Sequence, residues 1–212
     1  MLDLLIKNGT VVDGTGSPEY QADIGIKGEM ISQIASKIGE PAKETIDAGG
    51  YVVSPGFIDI HSHSDLTPFF SEYHMDSKVC QGITLEIIGN CGISNLPVNS
   101  TCRTEIKEFI GAGLELPLGD LALQDDDVLD YVHHVAQSPH ATDLGVLIGH
   151  GTLRGNVVGF EMRPPSSDEL KLMGDLLEKE LSQGAFGMSL GLIYPPSSYG
   201  NLEEFVYLAK IL

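Results

Sequence analysis

Basic residues are scarce in this chain: 12 Lys+Arg stand against 30 Asp+Glu in 212 residues, a formal net charge of −18 at pH 7. Such a field repels phosphate, so neither nucleic acid nor an anionic membrane surface is expected as a partner. Cysteine is scarce too. Cys80, Cys91 and Cys102 form an odd set whose spacing fits neither a zinc ribbon nor a disulfide framework. No run approaches the roughly 18 apolar residues of a membrane span. The opening Met1-Leu2-Asp3-Leu4-Leu5-Ile6-Lys7 carries an acid and only a brief apolar run, so no signal peptide is legible. A reduced, cytoplasmic protein is the expectation. What is abundant is apolar residues, 42 %, and glycine, 25 of 212, which fits a folded chain with many tight turns and close backbone approaches.

Residues 1–55 alternate in period two and break at turn pairs: Leu4-Ile6 before Asn8-Gly9, Val11-Val12 before Gly14-Thr15-Gly16, Ile24-Ile26 before Gly28-Glu29. Short antiparallel strands joined by hairpins, a small β domain, are expected there. From residue 56 the texture changes. Phe57–Ile60, Ile83–Ile88, Leu144–Ile148 and Ala185–Met188 are short apolar runs, each followed by a polar or glycine-rich loop and then a helical pattern, the mark of parallel β/α units. Ser166 with Glu169 offers a capping box, Asn201 with Glu204 a looser one, and Asp125-Asp126-Asp127 suits a helix N-terminus or a solvated loop. Four parallel strands are half of a closed barrel. Residues 56–212 therefore read as the first half of a β/α barrel, with the carboxy-terminal half expected beyond Leu212.

The chemically suggestive residues gather just after those strands. His61-Ser62-His63 follows the first run, and residues two apart on a strand share a face, so both imidazoles can converge on one metal ion. The bland alternative is a solvent-exposed or core-satisfied pair. Asp65 extends the stripe, or caps a turn. Gly89-Asn90-Cys91-Gly92 follows the second run and brings a thiol to the same end, a donor set suited to zinc. Cys80 and Cys102 read as small buried apolar residues. Glu86 lies on the opposite strand face from Cys91 and is not expected as a ligand. His150 and Arg154 follow the third run and Tyr194 the fourth. His150 suits a loop position that orients its neighbours, and Arg154 either a bidentate grip on a carboxylate or an internal ion pair.

Val53-Ser54-Pro55-Gly56-Phe57-Ile58-Asp59-Ile60-His61-Ser62-His63-Ser64-Asp65 resembles the first barrel strand of the amidohydrolase superfamily, metal-dependent hydrolases on a distorted (β/α)8 TIM barrel with a small β domain. Together with Gly82-Ile83-Thr84, Ile88–Gly92, Ile148–Arg154 and Ser189–Pro195, it is similar to the D-aminoacylases, or N-acyl-D-amino-acid deacylases, along essentially the whole chain. That resemblance implies Zn2+ as cofactor, with Cys91 holding the tighter position and His61 and His63 facing a second, weaker one. It also implies a small anionic N-acyl amino-acid substrate, with Tyr194, Arg154 and His150 as candidate substrate-binding residues. Many superfamily members bridge two metals with a carboxylated lysine on the fourth strand, and no lysine occurs between Lys179 and Lys210; this fits the aminoacylase branch better than a cyclic-amide hydrolase of the hydantoinase or dihydroorotase type. The family's remaining zinc histidines and its catalytic aspartate are expected beyond Leu212, so the 212 residues alone are expected to be inactive. A non-catalytic half-barrel that pairs with another chain is the remaining alternative.

Overall fold

Alternating apolar residues build a five-stranded sheet from the first 56 residues, which form one of two compact units in a computed structural model describing residues 1–70, 76–99, 102–114 and 125–212. Strands β1 (Leu2–Val11), β2 (Tyr20–Lys27), β3 (Met30–Ala35), β4 (Ala42–Asp47) and β5 (Val52–Val53) lie in the order β3-β2-β1-β4, with β5 also on β1. The sheet is mixed. β1 and β2, and β2 and β3, pair antiparallel, but β4 and β5 run parallel to β1, which corrects the all-antiparallel expectation.

Two local features explain the difference. Asn8-Gly9 is no turn between strands but an irregularity within β1, where the register shifts and Asn8 takes φ 59°, so one long strand replaces two short ones. Residues 36–41 then carry the chain from β3 to the far edge of β1. Ile38 on this crossover is buried with Leu2 and Leu5. Its N–H donates to Oδ2 of buried Asp23 at 2.9 Å, and Oδ1 of the same carboxylate accepts from Asn8 N at 2.9 Å. These backbone donors hold Asp23 below the usual carboxylate range, so one side chain pins both the irregularity and the crossover.

The second unit, residues 57–212, has an α/β architecture. Its strands β6 (Phe57–Asp59), β7 (Ile83–Ile88), β8 (Asp143–Gly149) and β9 (Gly187–Ser189) form one parallel sheet in chain order, a curled half-barrel. Helices α1 (Asp76–Val79), α2 (Arg103–Leu114), α3 (Val128–Val135), α4 (His150–Val157), α5 (Ser167–Ser182) and α6 (Leu202–Ala209) accompany it. Among the described residues no helix is long and apolar enough to cross a membrane.

Start signals in the sequence set three of these helices. Ser166 and Glu169 form a full capping box on α5, Asp127 caps α3 by accepting from Asp130 N, and Asn201 caps α6 by accepting from Glu204 N. Each such cap contributes about 1 kcal/mol. The apolar faces then meet in one core: Ile88 of β7, Val146 and Ile148 of β8, Leu153 of α4, Met173 and Leu177 of α5, Leu208 of α6.

One buried acid sits in this packing. Glu180 of α5 has no exposed surface; its Oε2 accepts from Val128 N at 2.8 Å, at the start of α3, while Oε1 stands 3.9 Å from Lys179 Nζ and accepts no hydrogen bond among the described residues. Burial pushes its carboxyl from 4.5 up to about 7. A carboxyl whose folded-state value is raised works against the fold as it ionises, so stability falls as pH rises from about 4.5 through about 7. Glu180→Gln keeps the acceptor for Val128. It is expected to flatten that part of the stability profile and to raise Tm at pH 8; a profile identical to that of the unsubstituted protein would contradict the assignment.

Candidate metal centre

Beyond the end of β6 the chain alternates: His61 and His63 are exposed, whereas Ser62 and Ser64 are buried. His61 Nε2 stands 3.2 Å from Cys91 Sγ, and the rings of His61 and His63 meet edge to face with centroids 5.6 Å apart. One donor atom from each of His61, His63 and Cys91 lies within 4.8 Å of the others. Tetrahedral zinc, with bonds of about 2.0–2.1 Å to nitrogen and about 2.3 Å to sulfur, spaces its donors roughly 3.3–3.7 Å apart. His61 and Cys91 already stand near that spacing, and the set of two imidazoles and a thiol is one that zinc favours. Desolvation, with repulsion from His61, lowers His63 below the ordinary histidine value, which favours the neutral, metal-ligating form.

Cys91 reaches this position through an unusual backbone. Gly89, Cys91 and Gly92 all lie in the left-handed region, at φ 75°, 57° and 72°, and such a conformation is uncommon for a residue that bears a side chain. The neighbours leave little choice. A Cβ on Gly89 would come 1.9 Å from the carbonyl oxygen of Leu147, and one on Gly191 would come 1.7 Å from that of Cys91 itself. Ser189, at the end of β9, clamps the same loop: its hydroxyl donates to Gly89 O at 2.5 Å and accepts from Gly92 N at 2.9 Å. Gly92 O in turn accepts from Gly151 N at the start of α4. The ends of β7, β8 and β9 thus meet around the cysteine.

Asp65 is fully buried and belongs to this framework, outside the donor cluster. Its Oδ1 accepts from Gly89 N at 2.9 Å, its backbone oxygen accepts from the Tyr131 hydroxyl at 2.8 Å, and Oδ2 accepts no hydrogen bond among the described residues. Burial pushes its carboxyl up to about 7. Asp65 therefore ties the histidine segment to the cysteine loop. Sequence spacing marked Asp65 but not Ser189, whose role depends on a contact between loops a hundred residues apart.

His150 and Arg154 lie inside the fold. Both have no exposed surface. His150 Nδ1 is 2.7 Å from Ser197 Oγ and its Nε2 2.8 Å from Glu204 Oε1. Arg154 donates to both Glu204 oxygens at 2.9 and 2.7 Å and to the backbone oxygen of Arg163. Burial alone would raise Glu204, but His150 and Arg154 outweigh it and hold its carboxyl below the usual range. Of the two alternatives for Arg154, the internal ion pair is the one observed, with its partner on α6, and His150 binds the same carboxylate. Tyr194, in the loop after β9, remains 46 % exposed. Cys80 is exposed, not buried as expected, because it follows the short helix α1 instead of lying within a strand. Cys102 is half-buried.

No protein-family model matches the chain. It is 39 % identical over 210 residues to the N-acyl-D-glutamate deacylase of Alcaligenes xylosoxydans xylosoxydans, a match covering 99 % of this chain and 41 % of that protein. The crystal structure of N-acyl-D-glutamate deacylase from Bordetella bronchiseptica, complexed with zinc and a phosphonate mimic of the reaction's tetrahedral intermediate, superposes with a TM-score of 0.85 at 33 % identity, over 99 % of this chain and 42 % of that one. A D-aminoacylase structure concerned with the functional role of its binuclear metal centre superposes with a TM-score of 0.87 at 33 % identity, over 100 % and 43 %. The chain spans about two fifths of the length of these relatives.

Proposed function

We propose that this chain, homologous along its length to the amino-terminal part of N-acyl-D-amino-acid deacylases of the amidohydrolase family, belongs to a zinc-dependent hydrolase that cleaves the amide bond of N-acyl-D-amino acids. On this reading residues 1–55 are the first part of a small β domain, and residues 56–212 are the first half of a (β/α)8 barrel whose other half is supplied by sequence outside this chain. The observation that carries it is the meeting of His61, His63 and Cys91, with Nε2 and Sγ 3.2 Å apart, beyond the carboxy-terminal ends of β6 and β7, the face on which barrel enzymes build their active sites. A thiol held in a cytoplasmic, reducing environment suits the same role.

Zinc bound there supplies Lewis acidity, polarising a carbonyl and making water acidic enough to act near neutral pH. Cys91, His61 and His63 would hold the metal, the thiolate form of Cys91 offsetting part of its charge. Cys91 would hold the tighter metal position and His61 and His63 would face a second, weaker one, with the remaining histidine ligands supplied by sequence outside this chain. Proton transfer needs a carboxylate at the reacting atoms; the resemblance to the deacylases implies that this is an aspartate outside the 212 residues, and Asp65, buried against Gly89, is a framework residue. The substrate is an anion facing a chain of charge −18, and with Arg154 committed to Glu204, the half-exposed Tyr194 hydroxyl is the group assigned to its α-carboxylate. The cyclic-amide alternative is disfavoured because β9, Gly-Met-Ser over 187–189, carries no lysine.

Zinc content tests the metal assignment. Elemental analysis of the full-length protein is expected to show a steep drop on Cys91→Ala, a much smaller one on His61→Ala, and none on Cys80→Ala; equal zinc in Cys91→Ala and the unsubstituted protein would remove the basis of the site. For the substrate, Tyr194→Phe is expected to lower kcat/KM on an N-acyl-D-amino acid roughly 10- to 150-fold, the equivalent of about 1.5–3 kcal/mol for a hydrogen bond to a charged group, without changing zinc content. An unaltered kcat/KM would make Tyr194 a packing residue.

A further inference from the structure

Ser62 and Ser64, interleaved with the two histidines, have no part in the centre described so far, yet both hydroxyls are buried and aimed at one atom. Ser62 Oγ and Ser64 Oγ donate to Oε2 of Glu86 at 2.5 and 2.8 Å. The other oxygen, Oε1, accepts from Thr142 Oγ1 at 2.8 Å. Lys78 Nζ lies 3.2 Å from Glu86 Oε2 and 2.5 Å from Asp59 Oδ2, and Asp59 Oδ1 accepts from His61 N at 3.1 Å. Glu86 has no exposed surface. Burial alone would raise its carboxyl, but Ser62, Ser64, Thr142 and Lys78 together hold it below the usual glutamate value. This is a charged, fully partnered anchor behind the histidine segment, and it contributes no atom to the donor cluster.

We propose that Glu86 is a positioning residue for the metal centre, acting through Ser62 and Ser64. The proposal rests on the reading of His61, His63 and Cys91 as metal ligands. Because successive side chains of an extended segment point to opposite sides, fixing both serines on the inner side fixes both imidazoles on the outer side, where Cys91 stands. A one-residue slip would turn serines toward the metal and bury the histidines against a carboxylate. Two hydroxyls on a single carboxylate oxygen exclude that slip twice over. Asp59, through His61 N and Lys78, links the start of the segment to the same anchor. Partners that hydrogen-bond metal ligands directly are typically worth roughly 10- to 100-fold in metal affinity; Ser62 and Ser64 act one step further out, through the backbone they share with His61 and His63.

Cobalt(II) substituted for zinc in the full-length protein provides the test, because thiolate-to-cobalt charge transfer reports Cys91 and the visible ligand-field bands report how the remaining ligands are arranged. The double variant Ser62→Ala/Ser64→Ala leaves Glu86 its bonds to Thr142 and Lys78. It is expected to melt as a folded protein, to keep the charge-transfer band, to bind cobalt at least tenfold more weakly, and to show altered ligand-field bands. Glu86→Gln, which can still offer its amide oxygen to both serines and its amide nitrogen to Thr142, is expected to stay within about threefold of the unsubstituted protein by the same outer-partner logic. If the serine double variant binds cobalt with unchanged affinity and unchanged ligand-field bands, Glu86 is a structural anchor only and the proposal falls. A different outcome marks failure of the underlying metal assignment: no charge-transfer band in the unsubstituted protein, or a band that survives Cys91→Ala, overturns both.

Discussion

The left-handed backbone at Cys91 is the constraint on which the proposed centre depends. A φ of 57° costs a residue with a Cβ about 1–2 kcal/mol, and it persists only where its surroundings over-determine it. Here they do so from three directions. Leu147 on β8 closes against Gly89, Gly191 beyond β9 closes against Cys91 O, and the Ser189 hydroxyl bridges Gly89 O and Gly92 N. The thiol is presented because neighbouring strand ends leave its loop no room to relax. That couples the site to correct assembly of the parallel sheet: β7, β8 and β9 must all be paired before the sulfur can meet His61.

Buried carboxylates perform the rest of the positioning, each spanning elements distant in sequence. Asp23 fastens the crossover of the small sheet, Asp65 fastens the histidine segment to Gly89, Glu86 gathers hydroxyls from the β6 loop and Thr142, and Glu204 carries the α4 ion pair. Removing one partner of a fully buried charged pair leaves an uncompensated charge and is strongly destabilising. In a chain with so few cations, most of these carboxyl groups are held by backbone N–H groups and hydroxyls, and only some by lysine or arginine.

Much of the half-barrel was legible in the sequence because its signals are local. Apolar runs at 83–88 and 144–148 are strands within a residue of where they were read, and Ser166-Glu169, Asp127 and Asn201 start helices as their chemistry requires. Illegible were matters decided by contacts across the fold. Asn8-Gly9 has turn chemistry, yet it became an irregularity inside β1 because β2 continues to pair on both sides of it. Glu204 stands where a capping-box acid belongs, three residues after Asn201, but its carboxylate turns instead to Arg154 and His150; nothing in either segment alone shows that α4 and α6 meet. The His-x-His spacing and the glycines around Cys91 marked the candidate ligands, while the serine after each histidine carried no visible signal, since their partner Glu86 lies on another strand.

The proposal that the thiol and imidazoles share a metal is tested most directly by zinc K-edge X-ray absorption on the zinc-loaded full-length protein. The account predicts a sulfur scatterer at about 2.3 Å together with nitrogen or oxygen scatterers at about 2.0–2.1 Å. A first shell of nitrogen and oxygen alone, with no sulfur, would contradict it.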